Sequence, residues 1–423
     1  MSGPPARRCH PHPAPRRPGG LRPTDVVGAF FICGIAFLLA AASVGVAQWI
    51  APWPSGHWLA LHLAFVGGVS QLILGASQFF AGAFLAIDPP PRRLVRAQII
   101  AWNIGAILLA IAVPNRADTL IWLAIGVLVG GLVIWGAAIV TMRRRSLRRS
   151  PWATRWYVSG ACFFGLGMIA GSLLARGVAW SHGDLLAAHM ALNLAGWFGV
   201  AIIGTLQSFF PSLTQTELRF PRLQDLAFAA WTGGVAALAA GYGWGLEPVA
   251  IAGWLGLCLG ATALLANVVA CLGAAPRPLS LPARVVGVAQ PFLLAGLLLA
   301  TVSAIEGGAT SALSGSTRTS VGTLLVSGWI GLTVLGSLAH LLAVVVRVRG
   351  GFAARMPPAR PRLDGSLAAL AMVGVASLAL SQSLGLGGLG GPAVLALLAA
   401  YAILAARIAV LSARVLLRAR PRL

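Results

Sequence analysis

The stretch GWFGVAIIGTLQSFF, residues 196–210, decides the fold because the chain repeats it. A close copy, GWIGLTVLGSLAHLL, occupies residues 328–342, and a looser one, GGVSQLILGASQFF, occupies residues 67–80. Eight residues span little more than two helical turns, so glycines with that spacing share one helix face and let neighbouring membrane helices approach closely. Each copy contains such a pair: Gly67 and Gly75, Gly196 and Gly204, and Gly328 and Gly336.

The composition around these phrases is that of a membrane protein. The chain is 58% hydrophobic and 9% charged, whereas soluble domains carry about 25% charged residues. Stretches of about twenty mostly apolar residues follow one another, and each is long enough to cross a bilayer as a helix. The sequence therefore predicts an all-α polytopic membrane protein. Its twelve predicted transmembrane helices cover residues 26–50, 58–87, 94–113, 120–142, 156–175, 185–210, 226–242, 248–272, 285–305, 320–346, 366–384 and 392–411.

The glycine phrases fall on the second, sixth and tenth predicted helices, one copy every four helices. Two interpretations are open. Unrelated helices could have acquired small-residue packing faces independently. Alternatively, the chain contains three copies of a four-helix unit in a pseudo-threefold arrangement. The Gly-Trp start shared by two copies, together with the equal intervals between all three, favours the repeated unit.

Positive charges predict the orientation. All 31 basic residues are arginines, and all but Arg116, Arg176 and Arg318 fall in or beside the termini and the even-numbered connections. Because cytoplasmic loops are the arginine-rich ones, we expect both termini to be cytoplasmic, in a bacterial cytoplasmic membrane. Arginines beside helices also meet anionic lipids of the bilayer. The net charge of +22 therefore needs no nucleic-acid partner.

Two short tails flank the membrane domain, which we predict at residues 26–411. Residues 1–25 are rich in Pro and Arg and predict a disordered cytoplasmic segment. Residues 412–423 predict a short basic cytoplasmic tail.

Three longer segments carry a resemblance to a known family. They are LHLAFVGGVSQLILGASQFF at 61–80, AHMALNLAGWFGVAIIGTLQSFFPSLTQTEL at 188–218 and GWIGLTVLGSLAHLLAVVV at 328–346. These segments resemble the twelve-helix membrane domain of actinobacterial proteins that often continue into a multicopper-oxidase or copper nitrite-reductase domain. More distantly, the arrangement is similar to NnrS-type membrane proteins of nitric-oxide metabolism and to subunit I of haem-copper oxidases.

The resemblance implies a role in copper or nitrogen-oxide redox metabolism. The chain stops at RARPRL, residues 418–423, so we expect no fused copper domain and, as a partner, a separately encoded cuproenzyme or electron carrier. The oxidase signatures are missing: the tenth helix has no His-x-His, the sixth no His-Pro-Glu-x-x-Tyr, and the seventh no His-His pair. An oxygen-reducing copper–haem centre is therefore not expected.

Histidines are the candidate cofactor ligands. His57 and His62 lie at the start of the second predicted helix, and His182 and His189 lie at the start of the sixth. All four share roughly one membrane depth, and we regard them as candidate metal ligands. His62 and His189 are the pair expected to hold haem or copper, because ionisable side chains within a membrane helix mark functional sites. For His57 and His182 the alternative is simple hydrogen bonding at the membrane interface, beside Trp58 and Trp180.

Three further residues complete the predicted site. Asn193 follows His189 by one helical turn and is expected to orient its imidazole from behind. Gln207 continues the same polar stripe along the sixth helix. His340 lies about twenty residues into the tenth helix, far from the other histidines, and is expected either to ligate a second cofactor or to bond a backbone carbonyl.

The leading functional hypothesis is a haem- or copper-binding membrane protein that is not an enzyme by itself. All nine carboxylates fall in loops or at helix ends, so the intramembrane acidic residues typical of proton-coupled transport are missing. Two alternatives stay open: a permease for a small neutral or metal-bearing solute, and a membrane scaffold without a cofactor. A permease could use the buried amides Gln71, Gln78, Asn103, Asn193, Gln207, Asn267 and Gln290.

Overall fold

The computed structural model describes residues 23–147, 152–350 and 360–418. Within these ranges the regular structure is helical, and twelve helices are long and apolar enough to cross a membrane. We number them α1 to α12 in chain order: Thr24–Ile50, Gly56–Ala83, Arg92–Ala112, Asp118–Arg145, Thr154–Ala175, Leu185–Thr214, Leu223–Gly243, Glu247–Ala274, Leu281–Gly307, Gly315–Val348, Pro361–Leu384 and Gly387–Arg414.

All twelve predicted helices are confirmed, with ends that differ by a few residues. Most helices begin or end in polar residues beyond the apolar run, because water and headgroups bind the terminal backbone groups there. The largest extensions are at the starts of α10, α11 and α12 and at the end of α12, where the helix continues to Arg418. Arginine side chains in the last turns stabilise a helix, because their positive charge lies near the negative end of the helix dipole. Of the predicted tails, residues 1–22 and 419–423 lie outside the described residues.

Large apolar side chains cover the outside of the helical bundle. Leu39, Ile100, Val133 and Leu395 are examples that are at least half exposed. An apolar surface of this extent is typical of contact with lipid. The chain is therefore a polytopic helical membrane protein.

The glycines of the repeated phrase pack in the same way in all three units. Gly67, Gly196 and Gly328 each face a phenylalanine of the preceding helix, on α1, α5 and α9 respectively: Phe37, Phe163 and Phe292. The second glycines, Gly75, Gly204 and Gly336, face side chains seven residues earlier on those same helices, Phe30, Trp156 and Val285, and Gly336 also meets Val286. Each glycine face therefore joins α2, α6 or α10 to the helix before it, inside its own unit.

The remaining two helices of each unit also repeat a close contact. Gly105 on α3, Gly234 on α7 and Gly374 on α11 lie against the next helix, at Leu128, Leu257 and Leu397. In the first two units the contacting glycine follows the first glycine of the repeated phrase at the same interval in the chain, and its leucine follows at the same further interval. The helices therefore form three four-helix units with matching internal contacts, as the spacing of the phrases predicts.

A local widening of the helix coincides with each first glycine. Residues Leu63–Val69, Ala191–Gly199 and Thr323–Gly331 form π-helical turns inside α2, α6 and α10. A π-helical turn shifts the backbone hydrogen bonds and can leave a carbonyl without its helical donor. An aromatic side chain bonds that carbonyl in every unit: Trp102 to Val66, Trp231 to Ala195 and Tyr401 to Ser327.

Residues of α2, α6 and α10 meet inside the bundle, where they line one cavity together with residues of α1 and α5, and we call these three the inner helices. Since all three run in the same direction along the chain, their first residues lie at one end of the bundle. We call it the histidine end, after His57 on α2 and His182 just before α6.

Candidate metal-binding site

His62 directly precedes the π-helical turn of α2, and its ring is held in a defined orientation. The Nδ1 atom is 2.8 Å from the backbone carbonyl of Trp58, and the imidazole stacks on the Trp58 indole with ring centroids 4.0 Å apart. A carbonyl oxygen only accepts hydrogen bonds, so Nδ1 carries the proton. The Nε2 atom of neutral His62 therefore holds a free lone pair.

His189 has the same arrangement but uses the neighbouring helix. Its Nδ1 atom lies 2.9 Å from the backbone carbonyl of Gly167 on α5, so Nδ1 again donates and Nε2 is the free acceptor. The ring fits against α5 because Gly167 and Gly171 lack side chains. A Cβ atom at Gly171 would lie 2.7 Å from the Cε1 atom of His189.

Asn193 lies beside His189, with its amide nitrogen 3.2 Å from Nδ1 and 2.7 Å from the His189 carbonyl. Because Nδ1 donates to Gly167, the Asn193 amide cannot be the group that fixes the tautomer; it braces the helix turn that carries the imidazole. Gln207 lies about 27 Å from His189 along the axis of α6, by helical rise, and does not belong to this site. Its amide has no hydrogen-bond partner within the described residues.

The two imidazoles lie at the contact between the first and second units. The helices that carry them meet directly, since Phe65 of α2 packs on Phe198 of α6 and Trp197 of α6 donates a hydrogen bond to Ser70 of α2. The glycine faces of α2 and α6 are covered by α1 and α5, so these faces do not bring the two imidazoles together. The contact between the first and second units brings them to the same region. Among the described residues no further His, Cys, Asp or Glu joins the pair as a third ligand.

Space decides which cofactor the pair can hold. Deeper than His62, the contact between the first two units is filled by closely packed aromatic rings. Phe65 packs on Phe198 at 4.9 Å, and Phe164 packs on Trp197 at 5.0 Å and on Trp102 at 5.9 Å between ring centroids. A porphyrin extending into the bundle would collide with these rings. Each free Nε2 atom is a ligand that transition-metal ions such as copper accept.

The other candidate histidines lie apart from this pair. His57 and His182 are exposed at the histidine end, and His182 packs edge-on against Trp180 at 5.3 Å. Both stay predictions as metal ligands. His340 is half buried near the opposite end of α10, where its ring meets Phe209 of α6 at 5.4 Å. The His340 ring has no hydrogen-bond partner within the described residues.

The buried amides connect helices in local pairs. Gln71 bonds Asn103 at 3.1 Å, Gln78 bonds Gln98 at 3.0 Å, and Gln290 bonds Thr333 at 3.2 Å. Asn267 bonds both backbone groups of Phe220. The space between α2, α6 and α10 is a cavity of about 80 Å³ lined mainly by apolar side chains. These amides therefore do not form the continuous polar path that a permease would need.

Three features of the site were not evident in the sequence. Trp58 supplies both a carbonyl and a stacking surface to His62, and Gly167 and Gly171 form the depression that receives His189. The only sequence signal for the two glycines is their four-residue spacing on a helix. Such spacing is common in membrane helices and does not indicate which side chain it receives.

A scan against protein-family models gives no match, and a search of curated proteins gives none either. Function is therefore inferred from the geometry of the site and from the resemblance of its helices.

Proposed function

We propose that this membrane protein binds one copper ion through the Nε2 atoms of His62 and His189 and serves copper or nitrogen-oxide redox metabolism. The observation that carries the proposal is the pair of Nδ1 hydrogen bonds to the carbonyls of Trp58 and Gly167. Histidines that bind metals characteristically donate their other ring nitrogen to a carbonyl or carboxylate, which fixes the ring and its tautomer.

Two imidazoles leave open positions on the ion. Metal sites that exchange ligands or electrons keep such positions, whereas structural sites are closed by protein ligands. An ion held here would lie near the histidine end of the bundle, within reach of a water-soluble electron carrier or cuproenzyme. The role we propose is therefore to pass electrons to such a partner or to sense a ligand of the ion.

Metal analysis of the detergent-purified protein tests this proposal. We expect about one equivalent of copper after reconstitution, and loss of that copper in both His62→Ala and His189→Ala. On this proposal His57 and His182 are not ligands of the ion, so His57→Ala and His182→Ala are the controls, since they remove exposed imidazoles at the same end of the bundle. Both controls should keep the ion.

An optical spectrum of the same samples separates the cofactors. A Soret band that depends on His62 and His189 would assign haem and overturn the choice of copper. A colourless protein that binds neither copper nor haem on reconstitution would overturn the proposal. Solute flux in liposomes would then test the permease alternative.

A further inference from the structure

The contact between the second and third units contains an apolar cavity with about 720 Å³ of space between its atoms. It lies between α6, α7, α8, α9 and α10, and Leu194, Leu293 and Trp329 are among its lining residues. Arg318, in the first turn of α10, lines its end nearest the histidine end. Because Arg318 and Trp329 are eleven residues apart on one helix, the cavity extends about 16 Å into the bundle.

Apart from Arg318 at its end, the described side chains that line the cavity offer no free polar group to a ligand. The indole nitrogens of Trp231, Trp254 and Trp329 donate hydrogen bonds inside the protein, at 2.9, 3.0 and 3.2 Å. The Tyr242 hydroxyl donates to the Ala309 carbonyl at 2.8 Å. A quinone ring or a porphyrin would bring polar atoms that these described residues leave unpaired, at a cost in free energy. A hydrocarbon chain has no such atoms.

Arg318 places a positive charge at the mouth of this cavity. The side chain is exposed, and in the part of the chain that the structure describes its guanidinium has neither a carboxylate nor a hydrogen-bond partner. Arg176, at the same end of the bundle, instead lies 3.9 Å from Asp118. The side chain of Ser314 does not cap the start of α10, so the first backbone N–H groups of this helix also favour an anion.

We propose that the cavity holds one acyl chain of an anionic phospholipid whose phosphate binds Arg318. The apolar depth suits the chain, and the free guanidinium at the mouth suits the headgroup. The proposal is independent of the metal site, which lies at the contact between the first and second units.

The contact between the first and second units shows which substitutions would fill the cavity. Leu194 and Leu293 correspond in the repeat to Phe65 and Phe164, which belong to the aromatic packing below His62. The same fold therefore accepts phenylalanine at both positions. The double variant Leu194→Phe, Leu293→Phe should fill the cavity without disturbing the helices. Its control is Leu255→Phe, on the lipid-facing side of α8, where the leucine is 51% exposed.

Native mass spectrometry of the delipidated full chain measures the binding. The probes are palmitoyl-oleoyl phosphatidylglycerol, which is anionic, and the phosphatidylcholine with the same chains. We expect one tightly retained phosphatidylglycerol, strong loss of retention in the double phenylalanine variant, and none in Leu255→Phe. Arg318→Gln should weaken phosphatidylglycerol binding about fivefold, the effect of one arginine beside an anionic headgroup. It should weaken phosphatidylcholine binding less, because the choline ammonium of that lipid offsets the charge of the phosphate that Arg318 meets.

Arg116→Gln is the control for charge, since it removes an arginine from another loop at the same end of the bundle. Equal retention of both lipids by the unmodified protein would overturn the proposal. So would an Arg318→Gln effect no larger than that of Arg116→Gln, or full retention by a folded double phenylalanine variant. If that variant does not fold, the two arginine variants decide the question.

Discussion

The hydroxyl of Tyr401 on α12 donates a hydrogen bond to the backbone carbonyl of Ser327 in the π-helical turn of α10. In the first two units the corresponding carbonyls bond the indoles of Trp102 and Trp231, which come from α3 and α7. The third unit thus fills the same requirement from a different helix. The need for a donor at that carbonyl, more than the identity of the donor, is the shared feature of the three units.

Tyr401→Phe removes this donor and keeps the ring. A buried carbonyl left without a partner costs about 1–3 kcal/mol, so we expect a lower unfolding temperature in detergent. Tyr157→Phe is the matched control. Its hydroxyl meets Thr205 at 3.0 Å, and a threonine hydroxyl in a helix can turn to its own backbone carbonyl instead. Equal melting temperatures for the two variants would contradict the role given to Tyr401.

Gly171→Ala should displace the His189 ring. The added methyl group would overlap the imidazole, which must then leave the Gly167 carbonyl. Losing an orienting hydrogen bond of this kind lowers metal affinity about 10- to 100-fold, and we expect that loss in a copper titration. Gly165→Ala lies on the same helix, where an added Cβ would meet nothing within 4 Å. Copper affinity that is unchanged in Gly171→Ala would show that the imidazole does not hold the ion.

Asp364→Ala should destabilise the third unit. Its carboxylate is 2.6 Å from the guanidinium of Arg407, and the Asp364 side chain is 8% exposed. Removing it leaves a partly buried cation alone, at a cost of about 2 kcal/mol. Asp225→Ala breaks a comparable 2.8 Å pair with Arg155, but that carboxylate is 66% exposed, so the cost should stay below about 1 kcal/mol. Thermal unfolding in detergent compares them, and the opposite ranking would contradict this account.

Cysteine labelling on intact cells tests the orientation expected from the arginines. In a Cys9→Ser background, a membrane-impermeant maleimide should label Ser314→Cys at the histidine end. It should leave Ala274→Cys, at the far end of α8, unlabelled until the cells are opened. The reverse pattern would place the termini outside and the metal site on the cytoplasmic side.

The twelve helices could be predicted because a membrane makes secondary structure a local property. In hydrocarbon every backbone group must bond within the segment, so each apolar run of sufficient length becomes a helix. The repeated phrase likewise predicts its packing, since a glycine pair such as Gly67 and Gly75 provides a smooth surface whatever side chain meets it.

The candidate site was only partly predictable. His62 and His189 stand out because imidazoles are rare within membrane helices. Their hydrogen bonds are not evident in the sequence, since the acceptor for His189 is a carbonyl on α5, 22 residues earlier in the chain. Gln207 was assigned to the site from helical periodicity alone, which preserves a helix face and ignores distance along the axis.

By itself, the sequence determined the number of helices, their approximate ends, the interval of four helices between the inner helices, and the histidines worth testing. Only the tertiary structure decided that one contact between units is packed with aromatic rings beneath an imidazole pair while the next encloses an apolar cavity. The physical reason is that the space at such a contact depends on the combined volumes of side chains from two units. Phe65 and Phe164 fill the space at the first contact, whereas Leu194 and Leu293 leave the corresponding space open at the second. The two residues of each pair are about one hundred residues apart in the chain.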